Sequence, residues 1–230
     1  MNITSSNLIR FSALALVPAG IVYAGIQPIH PPDVVESVTT TAWAVITSLK
    51  FAMSILFVAG ITALYARQAE KAGWFGLLAF LVLATSWTLQ TSFVFSEAFV
   101  LPPLAATAPA FVDAVLGISY GHTGDVSLGA LPTIYSVGVG ITYMLGGLLF
   151  GIATLRAGIL PRVPAAFLAI AATLTPLAAL LPHAQQRYAA IPVAFALAWL
   201  GYALFAERRT STAQVAPATA SAQLSPAAAR

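Results

Sequence analysis

Lys50 falls nine residues into an apolar run that opens at Thr41, which is about 13 Å along a helix at 1.5 Å per residue. An ionisable group at that depth in hydrocarbon costs a few kcal/mol, so it has to face protein or water. Thr47, Lys50 and Ser54 follow i, i+3, i+7 spacing and therefore share one helix face, a polar stripe directed into a bundle. Such a lysine can serve as a counter-ion or proton-coupled group for an anionic ligand. The plainer alternative is a structural lysine that snorkels outward or pairs inside the bundle.

Glu97 is the expected partner. It lies about one turn below the far end of the next apolar run, with Gln90 on the same face seven residues earlier. Helix rise puts Lys50 and Glu97 about 7 Å apart in depth, within reach of two extended side chains on adjoining helices. In low dielectric that pair can be structural or can exchange a proton during transport.

The histidines raise a different chemistry. His30, His122 and His183, together with Asp33, Glu36 and Asp125, are the residue types of a His and carboxylate site for zinc or another divalent metal. No two of them stand at i, i+4, so solvated loop histidines are the simpler expectation. Convergence of the three would give a metal-dependent, water-activating enzyme on one face of the membrane.

The elements that must position these residues follow from composition. The chain has 230 residues, 59% hydrophobic and 7% charged, with mean hydropathy +0.89; soluble domains carry about a quarter charged residues. The absence of cysteine removes disulfides, thiol nucleophiles, Cys-zinc sites and iron–sulfur clusters. A net charge of +3 comes from ten Lys and Arg without any dense run, which points to membrane topology rather than nucleic acid. No P-loop, G-x-S-x-G elbow or H-E-x-x-H is present, so no motif names an activity or a cofactor.

Six apolar runs are each long enough to cross a bilayer: residues 8–29, 41–66, 73–101, 133–154, 163–181 and 189–205. The expected fold is an all-α polytopic membrane bundle of six transmembrane helices. The first run ends without a convincing cleavage site and is expected to remain as a helix rather than act as a signal peptide. Arg10, Arg67, Lys71, Arg156, Arg162, Arg208 and Arg209 fall on one side of this layout and Arg187 alone on the other, which predicts both termini in the cytoplasm. The setting expected is the bacterial inner membrane. Trp43, Tyr135 and Tyr188 near one set of helix ends, and Tyr65, Trp74 and Tyr202 near the other, suit headgroup depth.

The connection 102–132 is the only long one, and a short helix from Ala110 to Ile118, begun by Pro109, is predicted to lie over the bundle's outer mouth. Residues 208–230, rich in Ala, Ser, Thr and Pro, read as a disordered cytoplasmic tail. Gly140, Gly147 and Gly151 repeat along the fourth run and mark a close helix–helix contact, within the bundle or between copies of the chain.

The stretch FSEAFVLPPLAATAPAFVDAVLG, after a Gly- and Leu-rich third run, resembles a pattern in small bacterial multi-span membrane proteins of unknown function, especially actinobacterial ones. That resemblance implies a six-helix integral membrane protein and carries no catalytic or binding residues with it. The function expected from the residues is a small-molecule or ion permease, or an accessory membrane subunit, centred on Lys50, Gln90 and Glu97. The rivals are the metal-dependent enzyme and a structural or regulatory subunit of a larger membrane partner. The lipid bilayer is the one partner composition requires.

Overall fold

The computed structural model describes residues 4–122 and 124–207, and all their side chains except those of His183 and Ala184. The expected tail of residues 208–230, with Arg208 and Arg209, lies outside the described residues. Among the described residues there are helices and no strands. Five helical stretches among the described residues are long and apolar enough to cross a membrane: Ser5–Ile29, Thr41–Leu104, Leu131–Ala157, Arg162–Leu180 and Arg187–Ala206.

The first stretch consists of α1 (Ser5–Leu14) and α2 (Leu16–Gly25). They meet at a break where Pro18 cannot donate a hydrogen bond to the Leu14 carbonyl. Thr4 caps α1 by accepting from the Asn7 amide at 3.2 Å. The second stretch runs 64 residues, about 96 Å if straight, three times the thickness of a bilayer's hydrocarbon. Helix α3 (Thr41–Phe95) is broken at Gly73, with φ 58° and ψ −156°, a conformation essentially reserved for glycine.

The break turns the chain back on itself. Tyr65 stacks on Phe80 with centroids 4.7 Å apart, Phe57 on Trp87 at 4.2 Å, and Phe51 meets Phe95 at 5.8 Å. Each pair is nearly symmetric about residue 73, as required of two antiparallel arms folded at one hinge. The two apolar runs read from the sequence as separate are thus the arms of a helical hairpin.

The remaining elements are a cap helix α4 (Pro109–Gly117), then α5 (Thr142–Ala157), α6 (Arg162–Leu174) and α7 (Ala190–Ala206). Helix α5 packs between α3 and α6, and α7 between α2 and α6. Small residues set these distances. A Cβ on Gly146 would lie 2.6 Å from Leu83 Cα, one on Gly151 2.6 Å from the Ala165 carbonyl, and one on Gly147 would overlap Ala172. Gly147 and Gly151 therefore pack α5 on α6 within the chain. The core between the helices includes Leu16, Phe57, Leu64, Phe150 and Leu200, all fully buried.

Both described ends meet at one end of the bundle. Arg10 donates to the Phe205 carbonyl at 3.1 Å through Nε, and Arg67, six residues before the hinge, donates to Glu207 at 2.8 Å. The opposite end carries the cap helix, which Pro109 opens at its first turn as expected. A separate small core of Val38, Trp43, Leu101, Val112 and Leu116 docks it.

Candidate functional site

Beneath the cap helix is a cavity of about 470 Å³, within the range of small-molecule sites. It forms where helices stop being α-helical. Pro102 and Pro103 lack amide hydrogens, and just before them the chain widens to a π-helix over Ser96–Val100, with Leu101 N–H bonded back to Ser96. A second π-helix covers Ile134–Ile141, and Pro176 opens a 3₁₀ segment at Thr175–Leu180. All three segments contribute to the cavity wall, and single π turns are a frequent feature of functional sites.

Lys50 projects into this cavity from the first arm of α3 and forms an ion pair with Glu97 on the π turn. Glu97 is held from behind by Trp43, whose Nε1 donates to its carbonyl at 2.9 Å. The Lys50 ammonium also lies 3.3 Å from His30 Nε2. His30 Nδ1 is 2.7 Å from the Pro31 carbonyl, which assigns the proton to Nδ1 and leaves the Nε2 lone pair facing Lys50. Burial, and next the Lys50 charge, hold the His30 pKa below its ordinary value.

A second ion pair extends the row. Asp33 lies 3.5 Å from Arg187 and 3.8 Å from His30 Nδ1, and Arg187 donates to the His30 carbonyl at 3.2 Å. The Tyr120 hydroxyl, beyond the cap helix, donates to the Asp33 carbonyl at 2.6 Å. Burial and then Asp33 push its pKa up to about 12, so it stays a donor at any physiological pH.

The rest of the wall is aromatic. Tyr23 donates to Tyr143 at 3.4 Å, and Trp87 stands edge-on to both rings, at 5.4 and 5.9 Å. Trp87 is buried, yet its Nε1 has no hydrogen-bond partner among the described residues. Tyr135 joins the wall beside Phe93, with ring centroids 4.9 Å apart.

Of the residues expected from spacing, Lys50, Glu97 and Gln90 come together at the cavity. Thr47 and Ser54 do not reach it. Both are buried, and their hydroxyls donate to the carbonyls of Trp43 and Lys50 one turn back, at 2.7 and 2.9 Å, so the polar stripe closes on its own helix. Gly140 also departs from the expected packing face. A Cβ there would meet nothing closer than 3.9 Å, and the residue lines the cavity.

His30 and Asp33 reach the site 3.8 Å from each other, and their further charged neighbours are Lys50 and Arg187 rather than a third metal ligand. His122 and Asp125 are exposed on the far loop, and the His183 side chain lies outside the described residues. Among the described residues, no three His, Asp or Glu side chains form a metal-binding group. Spacing missed Arg187, Tyr23, Trp87, Tyr135 and Tyr143. Arg187 carried a usable signal, as the one basic residue placed among acids at that end of the layout.

Of the rings expected at headgroup depth, Trp43 is buried and clamps Glu97, and Tyr135 is part of the cavity wall. Trp74 and Tyr202 at the other end are exposed, at 86% and 58%. Compared with family models, curated proteins and solved structures, the chain matches none.

Proposed function

We propose that this chain is a six-span bacterial inner-membrane protein, termini in the cytoplasm, that takes up a small organic molecule through the cavity as a permease. The carrying observation is the cavity itself: about 470 Å³, walled by Lys50, Gln90 and Glu97. Phe57, Leu83 and Phe150, which do not line it, are buried in the core of the bundle. A pocket between helices with ionisable groups in its wall is what a carrier presents to its substrate. Counting the arms of α3 as two spans, and the excess of Lys and Arg at the hinge end, supports the six-span, termini-inside arrangement.

The test is a thermal-shift screen of small organic compounds against the wild type and Gly140→Trp, which fills the cavity, followed by uptake into proteoliposomes. Compounds that stabilise the wild type alone should enter wild-type vesicles at least tenfold faster than Lys50→Ala vesicles. Equal stabilisation of both proteins removes the cavity as the site, and a stabilising compound that is never taken up removes transport.

A further inference from the structure

We propose that Lys50 is a covalent anchor, its ε-amine condensing reversibly with the carbonyl of a neutral aldehyde held in the cavity. The inference rests on the cavity being a binding site and adds the chemical class of what binds there.

Charge selects the ligand first. The acidic and basic side chains of the wall are Lys50, Glu97, Asp33, Arg187 and His30. Lys50 is paired with Glu97 and Arg187 with Asp33, and burial, then the Lys50 charge, lowers the His30 pKa and so favours its neutral form. The charges cancel, so a charged ligand would bring an uncompensated charge into low dielectric. The ligand is therefore neutral, and the rings of Tyr23, Trp87, Phe93 and Tyr143 suit a planar one.

A neutral ligand gains little from an ammonium already neutralised by Glu97. What the amine offers it is nucleophilic addition, the chemistry by which lysines form Schiff bases with carbonyl compounds. The neighbours fit that role. The Lys50 side chain is 14% exposed and lines the cavity, and the Glu97 side chain retains 24% exposure. His30 Nε2 is an acceptor 3.3 Å from the amine and takes the proton that must leave before nitrogen can attack.

The step balances without another reactant. Lys50 transfers one ammonium proton to His30, and its nitrogen lone pair forms a C–N bond to the carbonyl carbon while the carbonyl π pair moves to oxygen. One proton then passes from the newly bonded, positively charged nitrogen to that oxygen, giving a neutral carbinolamine. The His30 proton then helps expel the hydroxyl as water, the C–O bond breaks and C=N forms. The sum is ammonium plus aldehyde giving protonated imine plus water. One positive charge stands opposite Glu97 before and after, so no charge is created in the interior.

The chain has two lysines, Lys50 and Lys71, which makes the test direct. The full chain in detergent is incubated with cinnamaldehyde and sodium cyanoborohydride, then analysed by intact mass and peptide mapping. One cinnamyl group per chain is expected on Lys50, at least tenfold above Lys71 and the N-terminal amine, and none at position 50 in Lys50→Arg, which keeps the charge beside Glu97. His30→Gln should slow the labelling about 100-fold. Anionic glyoxylate should leave Lys50 unmodified. Labelling of Lys71 equal to Lys50, or glyoxylate labelling of Lys50 equal to cinnamaldehyde, overturns the proposal.

Cinnamyl alcohol separates the two readings, because it keeps the shape and lacks the carbonyl. Quenching of wild-type tryptophan fluorescence by the alcohol, lost in Trp87→Phe, with no adduct from the aldehyde, overturns the imine and leaves the cavity as a binding site. Neither quenching nor adduct overturns both.

Discussion

The two ends of the bundle are built from the same helices and differ in almost every other respect. Toward the termini the helices are regular and glycine brings backbones together, as at Gly146 on Leu83 and Gly151 on Ala165. A buried polar contact there runs across helices, the Gln68 amide donating to Thr154 at 2.9 Å, while Gln68 Oε1 has no partner among the described residues. Toward the cap the same helices turn into π and 3₁₀ segments beside Pro102, Pro103 and Pro176, and a cavity with two ion pairs opens between them. Close packing needs helices of constant pitch whose small residues stay in line. A change of pitch rotates the faces and leaves room, so this chain makes its cavity by interrupting helices rather than by shortening side chains.

The largest effect should come from testing that contrast with one kind of change at both ends. Gly146→Leu forces a side chain into Leu83 backbone atoms and should cost about 3 kcal/mol, lowering the midpoint of thermal unfolding in detergent by roughly 6–12 °C. Gly140→Ala, with its nearest neighbour at 3.9 Å, should stay within about 0.5 kcal/mol. Similar losses at the two positions would mean that the ends are packed alike.

A smaller effect is expected from the ion pair. Lys50→Met leaves Glu97 without its partner. Because both side chains keep some exposure, the loss should be at the low side of that for a buried pair, about 2–3 kcal/mol. The double change Lys50→Met with Glu97→Gln should recover most of it, as urea or thermal unfolding would show. No recovery would place the cost in packing of the lysine stem instead of in a stranded carboxylate.

The packed end was the more legible in sequence. Apolar runs and glycine spacing report directly on helices that keep a constant pitch, which is why Gly147 and Gly151 fall where a close contact was expected. Lys50 and Glu97 were also legible, because helix rise alone brings them to similar depth once the chain reverses near Gly73. The rest of the cavity was not. Tyr23, Trp87 and Tyr143 stand in apolar runs that read equally well as core. The eight-residue π-helix Ile134–Ile141 turns Gly140 away from Gly147 and Gly151, a rotation that α-helical counting cannot register. Thr47 and Ser54 had the right spacing and face, but hydroxyls one turn from a carbonyl satisfy themselves locally.

The smallest effect is a pH response confined to one end. Burial and the Lys50 charge lower the His30 pKa, so the folded state favours neutral imidazole. The stability this contributes is complete above the unfolded value of about 6.5 and is lost as pH falls toward the lower folded value. Glu207 at the other end is shifted in the same direction for a different reason: the Arg67 hydrogen bond holds its carboxyl below the usual range. Its contribution persists above about pH 4.3 and fades only in stronger acid, and it is small because the pair is more than a third exposed. Between pH 6.5 and 5 the cavity end should therefore loosen while the hinge end does not. Hydrogen exchange, corrected for its intrinsic pH dependence, should show protection falling across residues 27–38 and holding across residues 196–206, with His30→Gln abolishing the difference. Protonation places a second cation against Lys50 with only Glu97 and Asp33 to offset Lys50, Arg187 and the imidazolium, so the row of charges at the mouth is the part of the molecule where a single proton changes the balance.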